Sequence, residues 1–384
     1  MAPEKKSVIL RINSCSILIL FRYSLIMDID QIHEILKNLM QRGLYGSVQI
    51  NLHDGNIQNL NINESIIDAK SWSENNQQLD GIPKKYYVVF SQCNNREPYR
   101  LAQNESLVEL FSQYDDIDFS IADAQGDEKK QIIQIDRFIK RKPDIIIIAP
   151  IEREPLNNVI KNAFDRGIKI ILLERDISGD HFTSFVGCNN YEIGTMAGKF
   201  ITALLENKYG EPKGNIIEIR GLLDVEGEIN RYNGAHKILD NHNKIKVINE
   251  VEADWSERKA REQVHAILKD HENVDVIFGH NDSMAIGAYL AAQDLGIADN
   301  IFFVGVDGLE GRGGGKKQVI DGILSASFSY PLCTDRVVEI SNKILRDPNY
   351  KPEKNYILNA EMLVSPSLLH QLNFFENSLV KVPI

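Results

Sequence analysis

From Lys85 onward the chain alternates short apolar runs with stretches of helical period. Tyr86 to Phe90, Ile117 to Ala122, Asp144 to Ile148 and Ile168 to Leu173 have strand length, and the segments between them carry apolar residues at three- and four-residue spacing. Asp127 to Lys140 shows this spacing, with Ile132, Ile135 and Ile139 on one face. The series then restarts. Gly214 to Ile219, Ile245 to Ala253, Val274 to Gly279 and Ile301 to Val306 form a second set of strands, and Tyr191 to Glu206, Arg231 to Asp240, Ser256 to Lys269 and Ser283 to Leu295 are helices between them. Strand, helix and parallel strand in succession predict a right-handed doubly wound sheet, and two such series predict two similar lobes.

The first fifth of the chain has a different pattern. A short helix is expected over Ile32 to Met40, followed by alternating runs at Ser47 to Leu52 and Ile57 to Ile62. Asp54-Gly55 between those runs tolerates the positive φ of a tight hairpin, so the two runs are expected to pair. Trp72 to Pro83 is rich in Asn, Gln and Ser and reads as a linker. Lys5 and Lys6 precede an apolar run from Ile17 to Phe21, but Arg11 and Arg22 interrupt the pattern and no small-residue cleavage site follows. The apolar run is far short of the roughly 20 residues of a membrane span. Met1 and Met27 both fit as the start of the protein.

The expected division is 1–26 as a leader, 27–70 as a small helix-hairpin module and 71–84 as a linker. Residues 85–187 with 331–352 form the first lobe, 188–330 with 353–366 the second, and 367–384 a tail. The fold class is therefore α/β, with two similar doubly wound parallel-sheet lobes joined by a hinge and a small α+β module ahead of them.

Composition narrows the chemistry. The 384 residues are 43% hydrophobic and 25% charged, ordinary values for a folded chain, and the net charge of −11 opposes a general nucleic-acid surface. The four cysteines contain no CxxC pair, and the nine histidines never fall at metal-ligand spacing. No metal or cofactor is expected.

In open parallel sheets ligands bind beyond the carboxyl ends of the strands, and here those positions are polar. They include Ser91 to Asn95 with Tyr99-Arg100, Glu174-Arg175-Asp176, Asp224 to Arg231, Asp254-Trp255, His280-Asn281-Asp282 and Asp307-Gly308. Amides, carboxylates and guanidinium forks beside an aromatic face are the groups that replace the water around a sugar.

Together these segments resemble the type I periplasmic sugar-binding proteins, the ribose and galactofuranose binders, whose lobes are shared with lactose-repressor-like ligand domains. The markers are Phe90-Ser91-Gln92, Asp144 to Pro150, Leu173-Glu174-Arg175-Asp176, Gly279 to Met284 with Gly287, and Gly305-Val306-Asp307-Gly308, spanning roughly Lys85 to Pro366. The resemblance implies a monosaccharide ligand held by Ser91, Asn95, Tyr99, Arg100, Glu174 and Arg175 from the first lobe. It implies Arg231, Trp255, Asn281 and Asp307 from the second, with Tyr330 where ribose binders carry Gln. It also implies a monomer working outside the cytoplasm with the membrane permease of an ABC transporter. A sugar-sensing or signalling protein, in the cytoplasm or at the membrane, is the alternative. Tyr99-Arg100 is similar to the aromatic-Arg pair of the galactofuranose branch, whereas Glu174 replaces the usual Asp before the Arg.

Each residue also has a structural reading. Asp307-Gly308 fits a turn, and Asn281-Asp282 fits a helix cap, with Asp282 the expected cap and Asn281 the expected ligand contact. Trp255 fits a core aromatic, although a strand-to-helix junction is a poor place to bury one. Tyr99 fits a helix staple, and Arg175 and Arg231 fit salt bridges to Glu174 and Asp224.

Gly311 to Lys317 is not a phosphate loop, because Glu310 stands at the first glycine position and Lys317 where Ser or Thr would hold magnesium; a turn into the next helix is expected. No GxSxG or HExxH occurs, and Glu174 with Asp307 is not by itself a glycosidase pair. No catalysis is expected. Tyr45 to Val48 and His53 to Gly55 resemble elements of a small bacterial family of unknown role, which implies no function.

Overall fold

The computed structural model describes residues 6–13, 16–20, 46–53, 56–64, 86–270, 273–311, 313–369 and 380–381. Its first part is a four-stranded antiparallel sheet of β1 (Lys6–Asn13), β2 (Ser16–Leu20), β3 (Gly46–His53) and β4 (Asn56–Glu64), in the order β2-β1-β3-β4. The expected hairpin is present, with His53 opposite Asn56 and a register shift between Asn51 and Leu52. Within the expected leader, Lys6–Asn13 and Ser16–Leu20 form β1 and β2, and β1 pairs with β3 from Lys6 opposite Leu52 to Ile12 opposite Gly46. The short apolar run Val8-Ile9-Leu10 satisfies a strand as well as it mimics part of an export segment. The expected helix at Ile32 to Met40 lies outside the described residues.

The chain then builds β5 (Tyr86–Gln92), α1 (Pro98–Phe111), β6 (Ile117–Asp123), α2 (Glu128–Arg141), β7 (Ile145–Ile148), α3 (Asn157–Asp165), β8 (Lys169–Leu173) and β9 (Ser184–Cys188). The second series is α4 (Asn190–Tyr209), β10 (Gly214–Arg220), α5 (Glu226–Leu239), β11 (Ile245–Glu252), α6 (Glu257–Asp270), β12 (Val276–Gly279), α7 (Asp282–Asp294) and β13 (Phe302–Asp307). It continues through α8 (Gly315–Ile320), β14 (Ala326–Ser329), α9 (Thr334–Arg346), β15 (Asn355–Leu358), β16 (Met362–Val364), α10 (Pro366–Leu369) and β17 (Val380–Lys381).

The first sheet, β15-β9-β8-β7-β5-β6, is parallel throughout; the second, β11-β10-β12-β13-β14-β16-β17, is parallel except where β14 meets β16. The four isoleucines of β7 are fully buried, alternately in the clusters on the two faces of the sheet, as a strand with helices on both sides requires. Expected strands and helices agree with these elements to within a few residues. The main exception is α5, which begins at Glu226 rather than Arg231. Its acidic first turn, Glu226 and Glu228, complements the helix dipole.

Segment 353–366 does not belong wholly to the second lobe. Asn355–Leu358 extends the first sheet beside β9, and only Met362–Val364 joins the second. A four-residue apolar strand carries no mark of the sheet that it will edge. The chain thus passes between the sheets three times, after Cys188, after Ser329 and after Leu358. Helix α9 packs on the first lobe, where Thr334 meets Ser106 at 2.7 Å and Arg346 pairs with Asp116 at 2.7 Å.

Helices α4 and α5 cross at near-backbone contact. A Cβ added to Gly194 would stand 2.0 Å from the Arg231 carbonyl oxygen, and one added to Gly234 would stand 2.1 Å from that of Tyr191. This approach sets Arg231 of α5 against Asn190 of α4. Among the described residues no helix is long and apolar enough to cross a membrane.

Candidate functional site

The carboxyl ends of both sheets face one narrow cavity between the lobes, of about 40 Å³. Nine of the eleven residues expected at the site line it: Tyr99, Arg100, Glu174, Arg175, Arg231, Trp255, Asn281, Asp307 and Tyr330. Ser91 and Asn95 do not. Ser91 is fully buried in β5, where its hydroxyl accepts from Gln131 Nε2 at 3.3 Å, and the Asn95 side chain accepts from Asn104 at 2.8 Å. Both side chains are used inside the first lobe.

On the first-lobe side, Pro98 opens α1 at a position that needs no N–H donor, and the next two residues, Tyr99 and Arg100, are buried. Arg100 Nη2 pairs with Glu174 Oε2 at 2.7 Å, and Arg175 Nε lies 3.4 Å from the same oxygen. Burial pushes the Glu174 carboxyl upward, but Arg100 and then Arg175 outweigh it and hold it below its usual range. Arg175 also donates to the carbonyls of Pro150 and Ile151.

On the second-lobe side, Arg231 is held by three contacts. Its Nε and Nη2 donate to Asn190 Oδ1 at 3.1 and 2.8 Å, and Nη1 donates to the His280 carbonyl. The guanidinium lies 5.6 Å from the Trp255 ring centre and 5.8 Å from that of Tyr330. Among the described residues it forms no ion pair with Asp224; its partners are interior. Tyr330 stands edge-on to Tyr99 at 5.6 Å, and its hydroxyl accepts from the Cys188 N–H at 3.1 Å.

Trp255 is 9% exposed and joins the second-lobe core, contrary to the expectation for its junction. Gly221 makes this possible, since a Cβ there would lie 2.1 Å from Trp255 Cζ2. Asn281 Oδ1 accepts from the Met284 N–H at 2.8 Å, so Asn281, rather than Asp282, is the cap of α7 while also lining the cavity. Asp282 instead accepts from Gly308 N–H and Ser327 Oγ, both at 2.7 Å. Burial raises the Asp282 carboxyl to about 7, and burial together with Asp282 raises Asp307 well above the carboxylate range.

Glu174, Trp255 and Asp307 have φ values of 66°, 62° and 122°, conformations costly for residues with a side chain. Strain gathered at strand ends around one cavity marks a built site. Among the described residues, Arg100 Nη1 and Trp255 Nε1 are buried donors without hydrogen-bond partners, the kind of vacancy that a ligand's oxygen fills.

Glu97, Glu228 and Asn190 were not anticipated. Glu97 and Glu228 border the cavity, and Asn190 orients Arg231. Asn190 follows β9 in the same polar manner as the other strand ends, but Ser184–Cys188 does not read as a strand without its neighbours.

The sequence profile described as a periplasmic binding protein domain matches residues 88–327, more than half the chain. The chain belongs to the periplasmic binding protein family. The ribose import binding protein RbsB of Escherichia coli K12 is 27% identical over 248 residues, which cover 64% of this chain and 79% of that protein. The galactofuranose-binding protein YtfQ of the same strain is 27% identical over 248 residues, covering 62% and 76%. Among solved structures, the fructose binding periplasmic domain of the hybrid two component system BT1754 is 30% identical with a TM-score of 0.67, covering 74% of this chain and 92% of that one. These relatives are binding proteins of the sugar-binding branch anticipated from the strand-end residues. Family membership and the paired parallel-sheet lobes therefore agree with the sequence reading.

Proposed function

We propose that this chain binds a monosaccharide between its lobes, closes on it about the three crossings, and presents the closed form to the permease of an ABC importer. In this reading the protein acts outside the cytoplasm as a monomer, takes no nucleic acid and catalyses no reaction. The two unpartnered donors, Arg100 Nη1 and Trp255 Nε1, carry the proposal, because each needs an acceptor and a sugar hydroxyl or ring oxygen supplies one. Tyr99, Arg100, Glu174 and Arg175 come from one lobe and Arg231, Trp255, Asn281 and Asp307 from the other, so a bound ring stabilises the closed state by its contacts with both. The ligands in the relatives' names, ribose, galactofuranose and fructose, belong to the same chemical class.

A thermal-shift screen of neutral monosaccharides, sugar phosphates and amino acids tests the reading. Stabilisation by a monosaccharide supports it, and stabilisation by only the phosphates or amino acids overturns it. The sensing alternative draws support from the periplasmic domain of a hybrid two component system among the structural relatives. Cell fractionation with a permease pull-down separates the two: capture by a permease favours import, and capture by a membrane sensor favours signalling.

A further inference from the structure

Beneath the cavity lies a buried charged network that reaches the cavity wall through Glu228. His280, fully enclosed between β12 and α7, places Nε2 2.8 Å from Glu218 Oε1 of β10 and Nδ1 3.3 Å from Glu228 Oε1 of α5. Arg220 of β10 grips Glu228 through Nε at 2.7 Å and Nη2 at 3.0 Å, and His236 of α5 meets the second oxygen of Glu218 at 2.8 Å. The His280 backbone is tied as well. Its N–H donates to the Ile219 carbonyl at 2.9 Å, and its own carbonyl accepts from Arg231 Nη1.

Glu228 and Arg231 are three residues apart, one turn of α5. Both are therefore held by the same residue of the facing loop, Glu228 by the ring and Arg231 by the carbonyl. The next residue in that loop is Asn281, which lines the cavity. Building on the sugar-binding reading, we propose that His280 is the positioning residue of the second-lobe half-site, fixing α5 against the Asn281 loop so that Arg231 and Asn281 meet the ligand in register.

The ring suits this role chemically. Glu218 and Glu228 are both buried; Nε2 hydrogen-bonds Glu218, and Nδ1 faces Glu228 at 3.3 Å as an ion-pair partner without a hydrogen bond of its own, so a protonated ring offsets both carboxylates, which a neutral side chain of the same size cannot do. Burial pushes the His280 imidazole downward, but the two carboxylates outweigh it and favour the doubly protonated ring. Without that ring Glu228 keeps Arg220, so α5 remains attached to β10. What is lost is the ring's share of the tie between α5 and the Asn281 loop, which then rests on the Arg231 bond to the residue-280 carbonyl alone.

The test measures Kd by calorimetry and unliganded Tm for wild type, His280→Ala, His280→Gln, Arg231→Lys and the His280→Gln/Arg231→Lys double variant. The probe is the tightest binder among D-ribose, D-fructose and D-xylose, and titrations are made well below each variant's Tm. Positioning predicts Kd weakened about tenfold or more in His280→Ala and partial recovery in His280→Gln, which keeps one donor. It also predicts a double variant little weaker than Arg231→Lys alone, since both changes remove one coupling. If His280→Ala does not fold, the glutamine cycle still decides. Kd within about twofold of wild type with a lowered Tm, or fully additive losses in the cycle, overturns the proposal in favour of a structural role. A wild-type protein that binds none of the sugars overturns the sugar reading itself, an outcome separable from the other two.

Discussion

The guanidinium of Arg231 lies 5.6 Å from the centre of the Trp255 ring, and its three remaining ties run to Asn190 and His280. The cation thus reaches the cavity already oriented by protein groups, and the indole beside it keeps an unpartnered N–H. Preorganisation of this kind lowers the cost of ordering side chains when a ligand arrives.

Trp255 has a double role, as core and as cavity wall. Replacing it with Ala is expected to lower Tm by several degrees, in keeping with about 3 kcal/mol for losing a buried aromatic, and to weaken sugar binding by tenfold or more. The chain has only Trp72 and Trp255, so sugar is expected to change the emission of the Trp72→Phe protein and leave Trp255→Phe nearly silent. Fluorescence titration with parallel melting curves checks both parts.

Glu174→Gln leaves Arg100 buried without its 2.7 Å partner. Breaking a buried pair costs about 3 kcal/mol, so a lower Tm and weaker binding are both expected, with Arg100→Met/Glu174→Gln more stable than Glu174→Gln alone. Chemical denaturation of the three proteins reads this directly.

The network under the site gives stability a pH window. Burial pushes the His236 ring down, but Glu218 outweighs it and raises the ring to about 9, while Glu218 itself falls to about 2 through its two histidine partners despite burial. A raised histidine stabilises fully below its unfolded value near 6.5 and loses that contribution as pH climbs to about 9. A depressed glutamate stabilises above its unfolded value near 4.5 and loses it as pH falls to about 2. Tm is expected to be highest between roughly pH 4.5 and 6.5, and His236→Ala is expected to flatten the alkaline limb.

At the mouth of the cleft Arg153 of the first lobe reaches Asp176 at 2.9 Å and, across the gap, Glu226 of the second lobe at 3.6 Å. Burial and then Glu226 raise the Asp176 carboxyl to about 7 where the two carboxylates meet across the cleft. Because the closed form holds the proton more tightly, sugar affinity is expected to rise as pH falls from 8 to 6. Glu226→Gln is expected to remove most of that slope in calorimetric titrations.

Much of this molecule is legible in its pattern. Ile145–Ile148 announces a strand covered on both faces, and the polar residues after Leu173, Ala253, Gly279 and Val306 mark where the sheets deliver side chains to a cavity. Asn281 takes the cap expected of Asp282 while still lining the cavity, because Asp282 turns to Gly308 and Ser327, partners that meet it only after folding. Ser91 and Asn95 read as ligand contacts because their partners, Gln131 and Asn104, meet them only after folding. The left-handed backbone at Glu174 and Trp255 is invisible in sequence, since neither is a residue type that favours positive φ.

The most direct test of the account is a calorimetric titration of wild-type and Arg231→Ala protein with neutral monosaccharides. The account predicts saturable one-to-one binding of at least one sugar by wild type and a loss of at least tenfold, about 1.4 kcal/mol, in the variant at unchanged fold. Sugar binding of equal strength in both proteins, or no monosaccharide binding by wild type, would contradict it.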